Sequence, residues 1–410
     1  MRRKHVLFVS TRAPYPLTNG HNQRTYNILK QISRYADVSF FGFFDKELDR
    51  KEENVVHSEM AKLCVFVHLE HVLDETNRLR MFLSLLLGFV ETRPYVAKKY
   101  YSNMLADAIR DRMNDSPIDI VHLDMLPLAE YLPLFEHTPV VLTNHNVEAV
   151  RLRRWARSER NPLKRLYLSV QANRLASYES AVMRRLSFCV AVSEKDKAYL
   201  QQFNSSCRVF VVPNGTDTEK FRPRANTTSR QPTMLWVGSM SDPYNRSGIN
   251  YFVKNAFESI LSAVPNVQWT VVGRCPPLVL RRLQSKYPNN VSLQGFVGDV
   301  RPLYDAAHVF IAPLISGSGT KLKVIEGLAM GKALVTTSIG AEGLAVKHGE
   351  HLLIADDPQL FAEHVIELLN NGALRQVIGA QARTLAEQRY DWCAIGELQR
   401  AAYKAVLEER

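Results

Sequence analysis

Short apolar runs rich in Val, Ile, Leu and Phe recur along the chain at 6–10, 38–44, 64–69, 119–123, 140–143, 188–192 and 208–212. They recur again at 233–237, 267–272, 291–293, 309–313, 333–337 and 352–354. Runs of this length, bounded by turn residues, fit strands buried on both faces. Stretches with helical spacing lie between them, including 22–35 and 164–185, and the chain ends on another at 391–409. Strands alternating with helices predict parallel sheets covered on both faces, so the fold class is α/β with doubly wound, Rossmann-like domains.

The pattern breaks once. Pro213-Asn-Gly-Thr-Asp-Thr-Glu-Lys-Phe-Arg-Pro223 gives way to a polar segment at 224–231, a turn followed by a linker. The expected organisation is an N-terminal domain over 1–212, a linker over 213–231, a C-terminal domain over 232–390 and a final helix over 391–410. Two such domains joined here would face each other across a cleft.

The densest chemistry lies in Ser316-Gly-Ser-Gly-Thr-Lys-Leu-Lys-Val-Ile-Glu-Gly-Leu-Ala-Met-Gly-Lys332. It follows one strand pattern and precedes another, so it reads strand, glycine-rich loop, helix, strand. The loop then sits at the carboxyl end of a strand, where open α/β sheets bind ligands. Gly317 and Gly319 let a backbone approach a ligand closely, and a helix start at 321–324 offers unpaired N–H groups to an anion. Lys321 and Lys323 add positive charge. Glu326 would be repelled by a phosphate and needs another partner, for which ribose hydroxyls are suited. The segment reads as a sugar-nucleotide site.

This arrangement resembles the donor site of GT-B glycosyltransferases, in particular the large retaining family 4-like group that includes bacterial exopolysaccharide and capsule transferases. Many members carry a Glu eight positions before the helix Glu; here that position is Ser318. The loop is similar to the subgroup reading Gly-Ser-Gly-Thr-(Lys/Arg)-Leu-Lys, with Ser318, Gly319 and Thr320 at the donor. The resemblance extends to Pro-Asn-Gly-x-Asp at 213–217 and to a last helix that crosses back onto the N-terminal domain. It also covers three further strand ends. Trp236-Val-Gly238-Ser239-Met240 would offer amides to phosphate. Val271-Val-Gly-Arg274 would pair a guanidinium with the diphosphate. Gln294-Gly-Phe296-Val297-Gly298 would lay its backbone against the base.

In the N-terminal half, the loop after the first strand runs Ser10-Thr-Arg-Ala-Pro-Tyr-Pro-Leu-Thr-Asn-Gly-His-Asn-Gln-Arg24. Asn19-Gly20 can form a tight turn with positive φ, and Arg24 lies one helical turn further on. By the resemblance Gly20 and Arg24 face the donor diphosphate. The strand at 140–143 ends in Asn144-His145-Asn146-Val-Glu148, similar to the family's His-Asn-x-Glu segment. There His145, with Asn146, would hydrogen-bond the donor sugar, and Glu148 would cap the following helix. The catalytic set is His145, Lys323 and Glu326. The implied reaction moves a sugar from a nucleotide-diphosphate donor to a hydroxyl with retention of configuration. Lysines and a helix N-terminus would stabilise the leaving group without a metal, and no cofactor is expected beyond the sugar nucleotide itself.

Composition adds limits. Hydrophobic content of 46% and charged content of 23% are those of a soluble globular protein, and no apolar run is long enough to span a bilayer. The start reads as a first strand and not a signal peptide. Five scattered cysteines without Cys/His spacing give no zinc motif and suit a reducing cytoplasm. Charge is uneven. Residues 1–224 hold 34 Lys and Arg against 25 Asp and Glu, whereas 225–410 hold 18 against 16. Basic, partly apolar segments at 78–99 and 151–165 predict peripheral contact with the inner face of the plasma membrane. A saccharide or polyprenyl-diphosphate-linked acceptor would suit that surface. No nucleic-acid motif accompanies the charge, so nucleic acid is not an expected partner. Two rivals remain. A sugar-nucleotide 2-epimerase would need carboxylates and His clustered for proton abstraction at carbon, and the sequence displays none. A non-catalytic basic adaptor would leave the strand-end glycines unexplained.

Overall fold

The structure, a computed structural model, describes residues 2–44, 48–72, 94–159, 161–224, 229, 231–317 and 319–409. The chain divides into two compact units, one made of Met1–Pro213 with Ile395–Arg410 and the other of Asn214–Ala394. Among the described residues thirteen strands are present where the apolar runs predict them, with ends shifted by no more than two residues.

Unit 1 holds seven strands: β1 (Lys4–Ser10), β2 (Ala36–Phe43), β3 (Phe66–Glu70), β4 (Ile120–Asp124), β5 (Val140–Asn144), β6 (Phe188–Ala191) and β7 (Arg208–Val211). They form one parallel sheet in the order β3-β2-β1-β4-β5-β6-β7. The order reverses direction between β1 and β4, where the connections leave to opposite sides and open a crevice at the strands' carboxyl ends. Ser10 and Asp124, the last residues of those two strands, stand opposite each other in register. Six of the seven β1 residues and all five of β4 are buried, as a strand covered on both faces requires. The helix Gly20–Ile32 starts where Asn19 caps it, its side chain accepting from the Asn22 amide. Residues of the last helix, Trp392–Glu408, complete this unit. Tyr403 Oη lies 2.6 Å from His122 Nδ1, beneath β4, and Thr143 Oγ1 lies 2.9 Å from His122 Nε2.

Unit 2 repeats the plan with β8 (Thr233–Val237), β9 (Gln268–Val272), β10 (Val291–Gln294), β11 (Val309–Ala312), β12 (Ala333–Thr336) and β13 (Leu353–Ile354). Their order is β10-β9-β8-β11-β12-β13, all parallel, so its reversal falls between β8 and β11. One face of the core is aromatic. Phe252 meets Trp269 edge to face at 5.0 Å between ring centroids and Phe361 at 5.8 Å, with Phe257 packed on the same indole. Arg383 ties the start of the unit to its interior, its Nη1 donating to the carbonyls of Thr218, Phe221 and Ala329 at 3.0, 2.6 and 2.6 Å.

Candidate functional site

In unit 2 the loops after β8 and β11 flank the reversal of strand order. The helix Leu322–Ala329 follows the second loop. Its N-cap is Lys321, which has no oxygen to offer, and no side chain caps the helix. Val324 and Ile325 donate back to the Lys321 carbonyl, which leaves the first amides without an intrahelical acceptor. Two lysines at the positive end of a helix dipole are electrostatically unfavourable unless an anion joins them.

The loop leading into that helix is tied down. Ser316 Oγ lies 3.1 Å from Ser247 Oγ, Asn214 Nδ2 donates to Thr320 Oγ1 at 2.5 Å, and Lys321 Nζ donates to the Gly319 carbonyl at 2.5 Å. Gly319 has φ +68°, a conformation that favours glycine. Ser318 lies outside the described residues.

Lys323 reaches from the same helix toward the loop after β8. Its Nζ donates to Asn245 Oδ1 at 2.6 Å and stands 4.6 Å from the centre of the Trp236 ring. Burial pushes this ammonium down to about 8, against the pull of Asp242 and Glu326. The side chain of Glu326, one turn on, makes no hydrogen bond or ion pair with a described residue. Burial pushes it up to about 7, against the pull of Lys323 and Lys220. An acid and a base both held toward neutrality beside an uncapped helix make this end of the sheet a candidate binding site. The approach of Lys323 needs glycine at 238, where a Cβ would lie 2.4 Å from its Nζ, and the loop itself needs glycine at 273, where a Cβ would lie 1.8 Å from the Gly238 carbonyl oxygen.

Other predicted contacts settle differently. The Gly238 amide donates to the Val272 carbonyl at 3.0 Å, continuing the sheet, so it does not point to an anion. Ser239 is exposed, and its carbonyl accepts from Asn245 Nδ2 at 2.8 Å. Arg274 is exposed and lies over the Phe296 ring, 4.5 Å from its centre. Phe296 is itself 71% exposed, an aromatic face with a guanidinium on one side, while Val297 packs partly into the core. Asn245 was not visible as a site residue from the sequence. Its signal was only a polar residue two positions past Pro243, in the first turn of a helix that opens from a strand end.

Unit 1 has a second cluster, at its own reversal between β1 and β4. Asp124 is 3% exposed. Its Oδ1 lies 2.6 Å from His145 Nε2, and its Oδ2 accepts from Thr25 Oγ1 at 2.6 Å and from Ser10 Oγ at 3.3 Å. The His21 ring stacks on His145 with centroids 4.7 Å apart, and His21 Nε2 is buried without a hydrogen-bond partner. Burial would raise the Asp124 carboxyl, yet the charges and hydrogen bond of His145, with His21 and His122 beyond, hold it far below the ordinary carboxylate range. Burial drives His21 down to about 3, so it is neutral at pH 7.

Of these three residues only His145 was legible in the sequence, which displays no His–carboxylate cluster; the fold assembles one from three separate segments. Gly20 and Arg24 take other places. Asn19 is extended and Gly20 is the first helical residue, without the positive φ of a tight turn. Arg24 is 2% exposed and donates to the carbonyls of Pro213 and Val212 at 2.7 and 2.8 Å, which turns its guanidinium toward the backbone. Asn146 is half-buried beside His145 and makes no side-chain hydrogen bond with a described residue. Glu148 pairs with Arg151 at 2.6 Å and does not cap its helix; Glu179, from the helix Pro162–Met183, accepts from the Glu148 amide instead.

The chain is similar to known proteins over both units. The model of Glycosyltransferase Family 4 matches residues 18–220 and that of Glycosyl transferases group 1 matches 231–371. An uncharacterized 44.6 kDa protein in the cps region of Klebsiella pneumoniae is 30% identical over 164 residues, 38% of this chain and 42% of that protein. Phosphatidyl-myo-inositol mannosyltransferase of Mycobacterium leprae is 25% identical over 322 residues, 76% of this chain and 80% of that protein. Among solved structures, Anabaena HepE in complex with UDP superposes with a TM-score of 0.66 at 14% identity, covering 98% of this chain and 99% of that one. The two Rossmann-like units are those of the GT-B fold, and the chain belongs to the glycosyltransferases of the family 4 and group 1 type.

Proposed function

We propose that the protein transfers a sugar from a nucleoside-diphosphate sugar to a hydroxyl group. The observation that carries this reading is the uncapped, lysine-flanked start of the helix Leu322–Ala329, with Lys323 anchored on Asn245 and the Glu326 side chain left without a partner. The diphosphate would take the unpaired amides and the ammonium, Glu326 would accept from ribose hydroxyls, and the base would lie on Phe296 beside Arg274. Positive charge already in place where the leaving group develops negative charge lowers the barrier without reorganisation. Lys321, Lys323 and the helix N-terminus supply that charge, so the proposed transfer is metal-independent. Retention of anomeric configuration comes from the family resemblance alone.

Several features support a lipid-linked saccharide acceptor and a place on the membrane face in the cytoplasm. The mycobacterial relative is named for a lipid acceptor. The tip formed by the helices Glu148–Ser158 and Pro162–Met183 exposes Leu163 (76%), Leu166 (57%) and Trp155 (36%) among exposed Arg153, Arg157, Lys164 and Arg165. The other predicted segment, 78–99, lies outside the described residues up to position 93. No helix among the described residues is long and apolar enough to cross a membrane.

The histidine–carboxylate cluster of unit 1 is what the rival epimerase would require, and products separate the two readings. Release of nucleoside diphosphate with a glycosylated acceptor supports transfer, while an epimerised sugar nucleotide would replace it. The first test is calorimetric titration with UDP, GDP, ADP and dTDP, each with magnesium and with EDTA. Binding of one nucleotide that survives EDTA supports the site; binding of none would refute it.

A further inference from the structure

The unit 1 cluster holds more than one histidine needs for a contact. Asp124 ends β4 at the reversal of strand order and is fully engaged. Thr25 and Ser10 hydroxyls donate to Oδ2, and His145 Nε2 faces Oδ1 at 2.6 Å. A carboxylate only accepts, so a hydrogen bond of this length places the ring proton on Nε2. In the neutral ring the lone pair then stands on Nδ1, which makes no hydrogen bond with a described residue. His21, stacked on the same ring, presents a buried and unpartnered Nε2. A buried polar atom without a partner costs stability unless a ligand completes it.

We infer that Asp124 is a positioning residue: it fixes His145 in its Nε2–H form so that Nδ1, together with the His21 ring, receives hydroxyl groups of a saccharide. The inference rests on the proposed glycosyl transfer for its substrate and on unit 1 alone for its geometry.

The same three side chains offer ligand atoms within 4.8 Å of one another, a spacing that could also hold a metal ion. The surroundings favour the hydroxyl ligand. Both Asp124 oxygens already accept hydrogen bonds, and cations lie close by: Arg24, buried on the helix Gly20–Ile32, interacts with Asp124, and Arg12 and Arg24 both act on His21. A dication would have to enter beside a buried guanidinium.

The test is Asp124→Asn in the full chain, followed by nitrogen-15 spectra of histidine-labelled protein and by transfer kinetics. Thr25 and Ser10 donate to Oδ2, so the amide oxygen of Asn takes that place and its NH2 faces His145 Nε2. Nε2 then becomes an acceptor and the ring proton moves to Nδ1. The expected result is an Nε2–H ring in the natural protein, an inverted ring in the variant, and kcat/KM lower by roughly tenfold to a hundredfold, the worth of one buried hydrogen bond. Nucleotide affinity in unit 2 stays unchanged and reports that the variant is folded. Thr25→Val, which removes one donor and keeps the carboxylate, shows a smaller loss, whereas Thr25→Ser restores the donor and the rate. An Nδ1–H ring in the natural protein would overturn the inference, as would a variant with unchanged ring spectrum and rate. Stoichiometric binding of zinc or manganese that shifts the His21 and His145 nitrogens would overturn it in favour of a metal. If no sugar nucleotide is turned over, the transfer reading fails while the ring spectrum still decides the role of Asp124.

Discussion

Replacing Lys323 by Met separates what this side chain does for the fold from what it does for a ligand. In the free protein its ammonium is buried, pushed from 10.5 to about 8. Keeping the charge there at pH 7 costs on the order of 3 kcal/mol. Against it stand the bond to Asn245 and the contact with the Trp236 face, together about 2–3 kcal/mol. Met fills a similar volume and removes both sides of this balance, so the free protein should lose no more than ~1 kcal/mol. A diphosphate meets the ammonium as a charge-assisted partner worth about 1.5–3 kcal/mol, so nucleotide affinity should fall about 10- to 150-fold. The pH dependence follows with a definite sign. Between pH 8 and 10.5 the unfolded chain holds a proton on this lysine that the folded chain has lost, so the free natural protein gains stability with rising pH across that window. Nucleotide binding needs the proton and weakens from pH 8 upward. Lys323→Met should flatten both trends. Calorimetric binding and urea unfolding at pH 7, 8 and 9 measure them, and unchanged affinity in the variant would refute the assignment of the helix start as the diphosphate site.

Three other perturbations probe separate parts of the structure. Glu179 is fully buried, and its carboxyl is pushed up to about 8 by burial and then by Glu148, so its contribution is complete below its ordinary value near 4.5 and is lost as pH rises to 8. Glu179→Gln keeps an oxygen for the Glu148 amide and should remove that fall in unfolding curves recorded from pH 5 to 8. Gly273→Ala drives a Cβ into the Gly238 carbonyl, so unfolding should show a loss of several kcal/mol and binding should show no nucleotide affinity even where the protein stays folded. Phe296→Ala removes an exposed stacking face and should weaken a nucleoside diphosphate about tenfold in titration while leaving pyrophosphate affinity unchanged.

The strands were legible because both sheets are buried on two faces, which writes each one as an apolar run independent of its neighbours. The glycine-rich loop and the helix after it were legible for a similar reason. Gly317, Gly319, Lys321, Lys323 and Glu326 lie within ten consecutive residues, and the backbone between two strands leaves little choice about where they point. What neighbouring chemistry does to a group was less legible. Gly238 and Ser239 carry the residue types of a phosphate loop, yet the Gly238 amide extends the sheet, a fact of register between β8 and β9 that spacing does not encode. Arg24 has the charge of a phosphate ligand, but the helix face it occupies turns it toward the carbonyls of residues 212 and 213.

Asp124 marks where local reading ends. It closes a strand pattern as one of 41 acidic residues and has no motif around it. Its importance comes from strand order, because β4 lies beside β1 and places Asp124 opposite Ser10, over Thr25 and against His145, residues 114, 99 and 21 positions away. A usable rule follows from parallel sheets. The strand that pairs with β1 across the reversal of order ends in the crevice, so its last polar residue is a site candidate before any motif is sought. In unit 2 the corresponding strand is β11, and the residues that follow it are the glycine-rich loop itself. Strand order thus singles out one place in each unit. In one the sequence advertises it with glycines and lysines; in the other a single buried carboxylate holds it.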